Sequence, residues 1–231
     1  MSVQCRFCQT TLEHSVIDLG VSPLCQKHIS PEDFTLAEPH YPLHARVCHD
    51  CFLVQVDNVV PPEEIFGDGQ YAYFSSFSDS WLTHARRYTE MMCKRFDLGA
   101  QSRIVEIASN DGYLLQYFRG AGSHVLGIEP ASNCAAAAIE KGIETVVAFF
   151  GRETAARIKS DRGPADLLLG NKVLAHVPDI DAAVREAARV TRPGGHLLLE
   201  FYEWRVTRTK SPACRSSRWR AAYATRLMST S

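Results

Sequence analysis

Between residues 103 and 201 apolar runs alternate with amphipathic stretches, a pattern that predicts repeating βα units. Strands are expected at 103–108, 124–129, near Glu144–Val147, at 166–171 and at 196–201, with helices at 112–120, 132–141, 151–159 and 179–190. Runs such as Asp166-Leu167-Leu168-Leu169-Gly170 are nearly continuous in apolar residues, as strands covered on both faces are. The sheet is therefore expected to be largely parallel, with right-handed crossovers, and the fold class is α/β. Ahead of it, Trp81, Ala85, Tyr88, Met91, Met92 and Phe96 recur at helical spacing, with Arg86, Arg87, Glu90 and Lys94 between them. That spacing predicts an amphipathic helix from about Ser80 to Phe96, packed across the sheet edge with Trp81 and Tyr88 in the core. Residues 1–60 offer only short β-like pieces, Ser15–Leu19 and Phe52–Val56, among loops.

The stretch Ile104-Val105-Glu106-Ile107-Ala108-Ser109-Asn110-Asp111-Gly112 carries the most chemistry, because an apolar strand runs into a polar turn that opens a helix. Such a turn, at the carboxyl end of a buried strand, is where open α/β sheets hold nucleotide-like ligands. A dinucleotide site needs GxGxxG so that backbone can approach a pyrophosphate; here only Gly112 survives, and Asp111 would repel a phosphate. That argues against NAD. A cationic sulfonium with an α-amino group needs no phosphate cradle and gains from carboxylates such as Glu106 and Asp111. S-adenosylmethionine meets this description. The second strand ends in Glu129, 17 residues after Gly112, where a carboxylate can accept hydrogen bonds from two ribose hydroxyls. The plainer reading is that Glu129 caps the following helix. The strand 166–171 ends at Asn171, which the switch-point rule brings to the same crevice. The expected cofactor contacts are Glu106, Asn110, Asp111, Gly112, Glu129 and Asn171.

At 231 residues the chain can form a large domain and a small one. Net charge is −1 and basic residues before position 203 are interleaved with acids, so no basic stripe offers itself to nucleic acid or an anionic membrane. No apolar run approaches the roughly 18–20 residues of a bilayer span, and the N-terminus shows neither a basic leader nor an apolar signal core, which points to the cytoplasm. Of eight cysteines, four form the knuckles Cys5-Arg6-Phe7-Cys8 and Cys48-His49-Asp50-Cys51, each able to place two thiolates on one tetrahedral zinc ion. A redox dithiol or chance pairing are the rival readings. Four thiolates would close the coordination shell, so a zinc ion here is structural. His49, Cys25 and His28 are expected to be bystanders.

Several segments together resemble the S-adenosylmethionine-dependent sugar C-methyltransferases of deoxysugar biosynthesis, which carry an N-terminal zinc-binding domain. The matching pieces are CRFC at 5–8, YPLHARVCHDCFLVQV at 41–56, YAYFSSFSDSWLTHARRY at 71–88, VEIASNDGYLLQYF at 105–118, VLGIEPASN at 125–133 and LLLGNKVLAHVPD at 167–179. The resemblance implies a Rossmann-like class I methyltransferase sheet behind a small zinc-binding domain. The organisation expected is a zinc-binding domain at 1–60, a linker and amphipathic helix at 61–101, the cofactor domain at 102–201 and an aberrant basic tail at 202–231. It also implies methyl transfer to a ring carbon of a nucleotide-linked 4-keto sugar, with Tyr73 and His176 at positions that face the substrate. Their plain readings are packing for the tyrosine and a loop cap for the histidine.

Two departures qualify the resemblance. Lys172 stands where the family usually has a second Asn beside Asn171, and after Glu200-Phe201 the family's HEHFSY-like motif, expected to hold the main base, does not follow. The residues from Tyr202 carry Arg205, Arg208, Arg215, Arg218, Arg220 and Arg226 with scarcely an acid and no apolar period, and read as out-of-frame or unrelated sequence. On this reading the sheet has five strands, the edge after 196–201 is left unpaired, and the chain is inactive or nearly so. The rival readings are a cofactor-fold remnant without catalysis, an NAD-dependent enzyme or a zinc-ribbon nucleic-acid binder.

Overall fold

The computed structural model describes residues 3–57 and 60–200, together with the strand backbone at 202–203, 222–223 and 226–229. In the N-terminal region the two CxxC knuckles have the same backbone. Cys5 O accepts from Gln9 N–H and Cys48 O from Phe52 N–H, both at 3.0 Å, while the Cys5 and Cys48 amides donate to Thr10 O and Leu53 O. Gln9 and Phe52, each directly after its second cysteine, are left-handed at φ 63° and 61°. Strands β1 (His14–Ser22), β2 (Tyr41–Val47) and β3 (Val54–Val56) form an antiparallel sheet in that order. β2 lies in a stretch whose sequence carries no clear strand period, and its pairing with β1 is what holds it extended.

The short helix α1 (Pro62–Phe66) leads through an extended aromatic segment to α2 (Asp79–Phe96). Ser78 caps α2 by accepting from Trp81 N–H, and the helix stops where Asp97 turns left-handed at φ 52°. Then follow β4 (Arg103–Ile107), α3 (Leu115–Gly120), β5 (His124–Ile128), α4 (Ser132–Glu140), β6 (Thr145–Val146), α5 (Arg152–Arg162), β7 (Ala165–Asn171), α6 (Ile180–Val190) and β8 (Thr191–Glu200). β9 (Tyr202–Glu203) and β10 (Ala222–Tyr223) pair with one another, and β11 (Arg226–Ser229) pairs with β8.

The main sheet runs β11-β8-β7-β4-β5-β6, with the β8-β7, β7-β4, β4-β5 and β5-β6 pairs parallel. From β4 the chain first fills the β5 side and then crosses to β7, so the strand order reverses at β4 and a crevice opens beyond the carboxyl ends there. Alternate residues of each strand feed opposite cores. Ile104, Leu167, Leu169 and Leu198 join Ala85 and Met92 of α2 and Leu115 and Phe118 of α3. Val105, Leu126, Leu168 and Leu197 join Ala155 and Ile158 of α5 and Ala187 and Val190 of α6. Each such side chain, fully buried, contributes about 1.5–3 kcal/mol. Covering on both faces is what the unbroken apolar runs predicted.

Three expectations are corrected. The sheet has six strands, because Arg226–Ser229 lies antiparallel on His196–Leu199; an exposed edge presents unpaired N–H and C=O groups, and a segment able to run extended satisfies them. Residues 204–221 of the tail lie outside the described residues. β8 starts at Thr191, with Arg192–Gly195 bulged out of register against β7. Helix α2 shares the core over β4, β7 and β8, and its Phe96 ring lies 4.0 Å from that of His196, so it covers a sheet face and not the edge.

Candidate active site

At the carboxyl ends of β4 and β7 the backbone turns sharply through left-handed residues: Ala108, Asn110 and Gly112 at φ 55°, 51° and 75°, and Lys172 at φ 58°. Non-glycine residues in this region are costly, and such conformations gather where function needs them. The turns border a cleft of about 390 Å³, within the usual range for small-molecule sites. Its walls include Tyr73, Trp81, Asn110, Glu129, Asn171 and His176, with an apolar side of Ile107, Ile128, Phe149 and Phe150.

Glu129 is buried at the cleft wall, and its two carboxylate oxygens accept from Asn110 N–H at 2.9 Å and Ala131 N–H at 2.8 Å. The helix-cap reading of Glu129 fits the bond to Ala131, the N-cap of α4, and each oxygen keeps a further lone pair for a ligand. Burial pushes the Glu129 carboxyl above its ordinary value, with the two amides pulling the other way. Asn110 works in both directions. Its Oδ1 accepts from Ser75 N–H at 2.8 Å and its Nδ2 donates to Tyr73 O at 3.0 Å, so its side chain holds the aromatic segment 71–77 over the cleft. Asn133 Nδ2 donates to Tyr71 O, and Lys141 donates to Ser76 Oγ, extending the strap's attachment.

The structure brings Tyr73, Asn110, Glu129, Asn171 and His176 to one cleft. Three expected cofactor contacts stand behind its wall instead. Asp111 is ion-paired with Lys141 at 2.9 Å and accepts from Ser76 N–H at 3.3 Å. Gly112 supplies the left-handed turn; a Cβ there would come 3.0 Å from Ile143 Cγ1. Glu106 is 1% exposed, on the same strand face as Ile104, with its Oε2 unpartnered among the described residues. Burial and then the Glu129 charge hold the Glu106 carboxyl well above the usual carboxylate range. In a period-two strand, residue 106 points into the α2–α3 core and cannot also face the crevice.

Trp81, expected in the core, packs against it and also lines the cleft. Its ring stacks on His84 at 5.0 Å and Tyr113 at 6.0 Å, and the Lys172 ammonium sits 4.4 Å above it. Asn171 lines the cleft, and its Oδ1 is buried without a hydrogen-bond partner among the described residues. His176 lies at the exposed rim, its ring edge-on to Phe66 at 6.2 Å. Desolvation, and then the charge of Arg6, lower its pKa. Sequence reasoning missed Trp81, Phe149, Phe150 and the strap ties Asn133 and Lys141. The one signal for the phenylalanines was their place just beyond the short strand near 144–147.

The second site is built by the knuckles. The sulfurs of Cys5, Cys8, Cys48 and Cys51 all lie within 4.8 Å of one another, with Cys5–Cys51 and Cys8–Cys48 at 3.5 Å. Four Zn–S bonds of about 2.3 Å in a tetrahedron need sulfurs about 3.8 Å apart, so the donor set fits one zinc ion. Burial pushes the Cys5 thiol up, but N–H groups of Cys8 and Phe7 and the Gln55 amide outweigh it and bring it down to about 6, while Cys51 is pushed up to about 12. A cation at the centre removes this opposition by favouring the thiolate at all four.

Comparison with known proteins agrees with both sites. A family model described as "Putative zinc binding domain" matches residues 5–66, and one described as "Methyltransferase domain" matches residues 66–225. The chain therefore belongs to the methyltransferase-domain family, with S-adenosylmethionine as its cofactor and a zinc-binding domain ahead of it. It is 32% identical over 197 residues to the C-methyltransferase NovU of Streptomyces niveus, covering 85% of this chain and 46% of that protein. It is 28% identical over 170 residues to a ubiquinone biosynthesis O-methyltransferase of Bradyrhizobium sp., covering 62% of this chain and 65% of the other. The chain thus spans less than two thirds of either relative. Among solved structures, the PH0226 protein of Pyrococcus horikoshii aligns with a TM-score of 0.47 at 15% identity, covering 61% of each chain. No helix among the described residues is long and apolar enough to cross a membrane.

Proposed function

We propose that this chain is the cofactor-binding portion of a C-methyltransferase acting on a nucleotide-linked 4-keto deoxysugar. The observation that carries the reading is one cleft lined by Asn110, Glu129 and Asn171 together with Tyr73 and His176. S-adenosylmethionine, when bound, supplies an electrophilic methyl group on a sulfonium. Glu129 would accept from ribose hydroxyls, Asn171 Oδ1 from the ligand's amino group, and the apolar wall of Ile107, Ile128, Phe149 and Phe150 would cover the base. Glu106, Asp111 and Gly112 would act through the shape and charge of the turn.

On the acceptor side, removal of the proton α to the ketone leaves an enolate whose carbon takes the methyl group, while a hydrogen bond stabilises the oxygen. His176, with its pKa lowered, is neutral at pH 7 and can take that proton or orient the group that does. Tyr73, half exposed and held over the cleft through the Asn110 clamp, has a hydroxyl free to face the ketone oxygen. The likeness to NovU supports carbon as the nucleophile. The test is incubation with methyl-labelled S-adenosylmethionine and a nucleotide-linked 4-keto sugar, with product read by NMR. A new carbon–methyl bond is expected from a version whose residues after Phe201 are restored to the family pattern, with little or none from the chain as it stands. A loss of about 10²–10⁴-fold is expected in Tyr73→Phe or His176→Asn of the restored version. Methylation on oxygen, or transfer indifferent to both substitutions, would overturn the reading.

A further inference from the structure

Arg6 sits inside the first knuckle, between Cys5 and Cys8, yet its side chain leaves the metal site. Its backbone N–H donates to Gln55 Oε1 at 2.9 Å, and the Gln55 amide donates to the Cys5 sulfur at 3.2 Å, so position 6 is fixed by the same network that surrounds the thiolates. The guanidinium crosses to the α/β half of the molecule. There Nη1 donates to Ala175 O at 3.2 Å and to Val177 O at 3.3 Å, the two carbonyls that flank His176. Nε is buried with no partner among the described residues, so water does not compete for the group at that point.

The loop that receives it has little else to hold it. Leu174–His176 is a single 3-10 turn without a side-chain cap, closed by His176 N–H to Val173 O at 2.9 Å and Val177 N–H to Leu174 O at 3.5 Å. Hydrogen bonds in such turns are poorly aligned. A charge-assisted hydrogen bond is about twice as strong as a neutral one, and the two accepting carbonyls bracket His176, which lines the cleft with Leu174 and Val177. Phe66, edge-on to the imidazole, supplies the other wall.

We propose that Arg6 is a positioning residue that carries the set of the first zinc knuckle to the loop 174–177, fixing the His176 imidazole at the mouth of the cleft and coupling metal occupancy to acceptor-side geometry. The proposal rests on the reading of His176 given above only for its consequence in catalysis. A guanidinium held on the two carbonyls beside the ring disfavours imidazolium, so the His176 titration reports whether Arg6 occupies that place, and the effect of chelation on the loop reports the coupling to the knuckle.

The test uses the full chain with zinc bound and ring-labelled histidine, His176 being assigned by its disappearance in His176→Asn. Arg6→Gln should move the His176 titration midpoint up toward the ordinary 6.5 and speed amide exchange at residues 173–177 by roughly tenfold, with one zinc per chain retained. Arg6→Lys, which keeps the charge, should restore the midpoint and only part of the protection. Chelating zinc from the unsubstituted protein should loosen 173–177 to a similar degree, and this measurement stands even if Arg6→Gln does not fold. Unchanged loop protection on chelation overturns the proposal, as does a zinc-loaded Arg6→Gln chain with an unmoved midpoint. No readout uses methyl transfer, so this inference and the proposed reaction fail separately.

Discussion

Replacing Asn110 by Ala removes two hydrogen bonds to the strap, a long Nδ2 contact to Cys134 Sγ at 3.7 Å and one conformational allowance at once. Ser75 is buried, and its N–H loses its acceptor, which costs about 1–3 kcal/mol. Tyr73 O loses its Nδ2 donor, about 0.5–1.5 kcal/mol more. Alanine must also hold φ 51°, which asparagine tolerates better, adding about 1 kcal/mol. If the strap 71–77 stayed in place the total would reach about 2.5–5.5 kcal/mol. The strap can instead lift, at the expense of its ties through Asp111, Lys141 and Asn133, so the lower part of that range, about 2.5–3.5 kcal/mol, is expected. Asn110→Gly restores the left-handed freedom without the bonds and should recover about 1 kcal/mol relative to Ala. The assay is urea unfolding with zinc in excess, paired with hydrogen exchange at the Ser75 amide. Equal midpoints for the two variants, within about 0.5 kcal/mol of the unsubstituted chain and with Ser75 still protected, would refute the clamp. The Asn110 N–H bond to Glu129 is made by backbone and survives both changes, so the comparison isolates the strap.

Glu129→Ala should weaken S-adenosylhomocysteine binding by about 1–3 kcal/mol, roughly 5- to 150-fold by calorimetry; tighter binding of NAD would sink the cofactor assignment. Cys48→Ser should lower the zinc content below one ion per chain by elemental analysis, and an unchanged content would remove the four-cysteine site. Glu106 gives a pH prediction. Its folded pKa is raised, so the native state holds the proton more tightly than the unfolded chain, and stability falls as pH climbs from about 4.5 through the raised value. Glu106→Gln, neutral throughout, should flatten that fall and be at least as stable at pH 8, with urea midpoints at pH 5 and 8 as the check; a steeper fall in the variant would contradict it.

Much of this protein was readable along the chain. Short unbroken apolar runs such as Leu167–Leu169, bounded by polar or turn residues, read as strands buried on both faces, and their alternation with amphipathic segments favours a parallel sheet. Two CxxC pairs announce a tetrahedral thiolate site wherever the loop between them goes, because each pair already sets two sulfurs at ligand spacing. The place of Glu129 and Asn171 at the cleft follows the same logic, as polar residues at the carboxyl ends of buried strands.

What the sequence left open depends on side-chain direction and on contacts between distant segments. Glu106 and Ile107 are neighbours in the chain, yet a strand sends them to opposite faces, so one carboxylate is buried under α3 while the next residue lines the cleft. Asp111 is paired with Lys141, thirty positions away. Trp81 has the spacing of a core residue, but its place one turn into α2 brings it over the crevice beside Lys172. Arg6 has no partner visible in its own knuckle, because its acceptors lie 169 and 171 residues further on. Local pattern therefore determined the elements and the kinds of chemistry they carry, through the fixed periods of helix and strand. Which of those groups face one another was decided only by tertiary packing, where burial and unsatisfied hydrogen-bonding groups select partners that no spacing encodes.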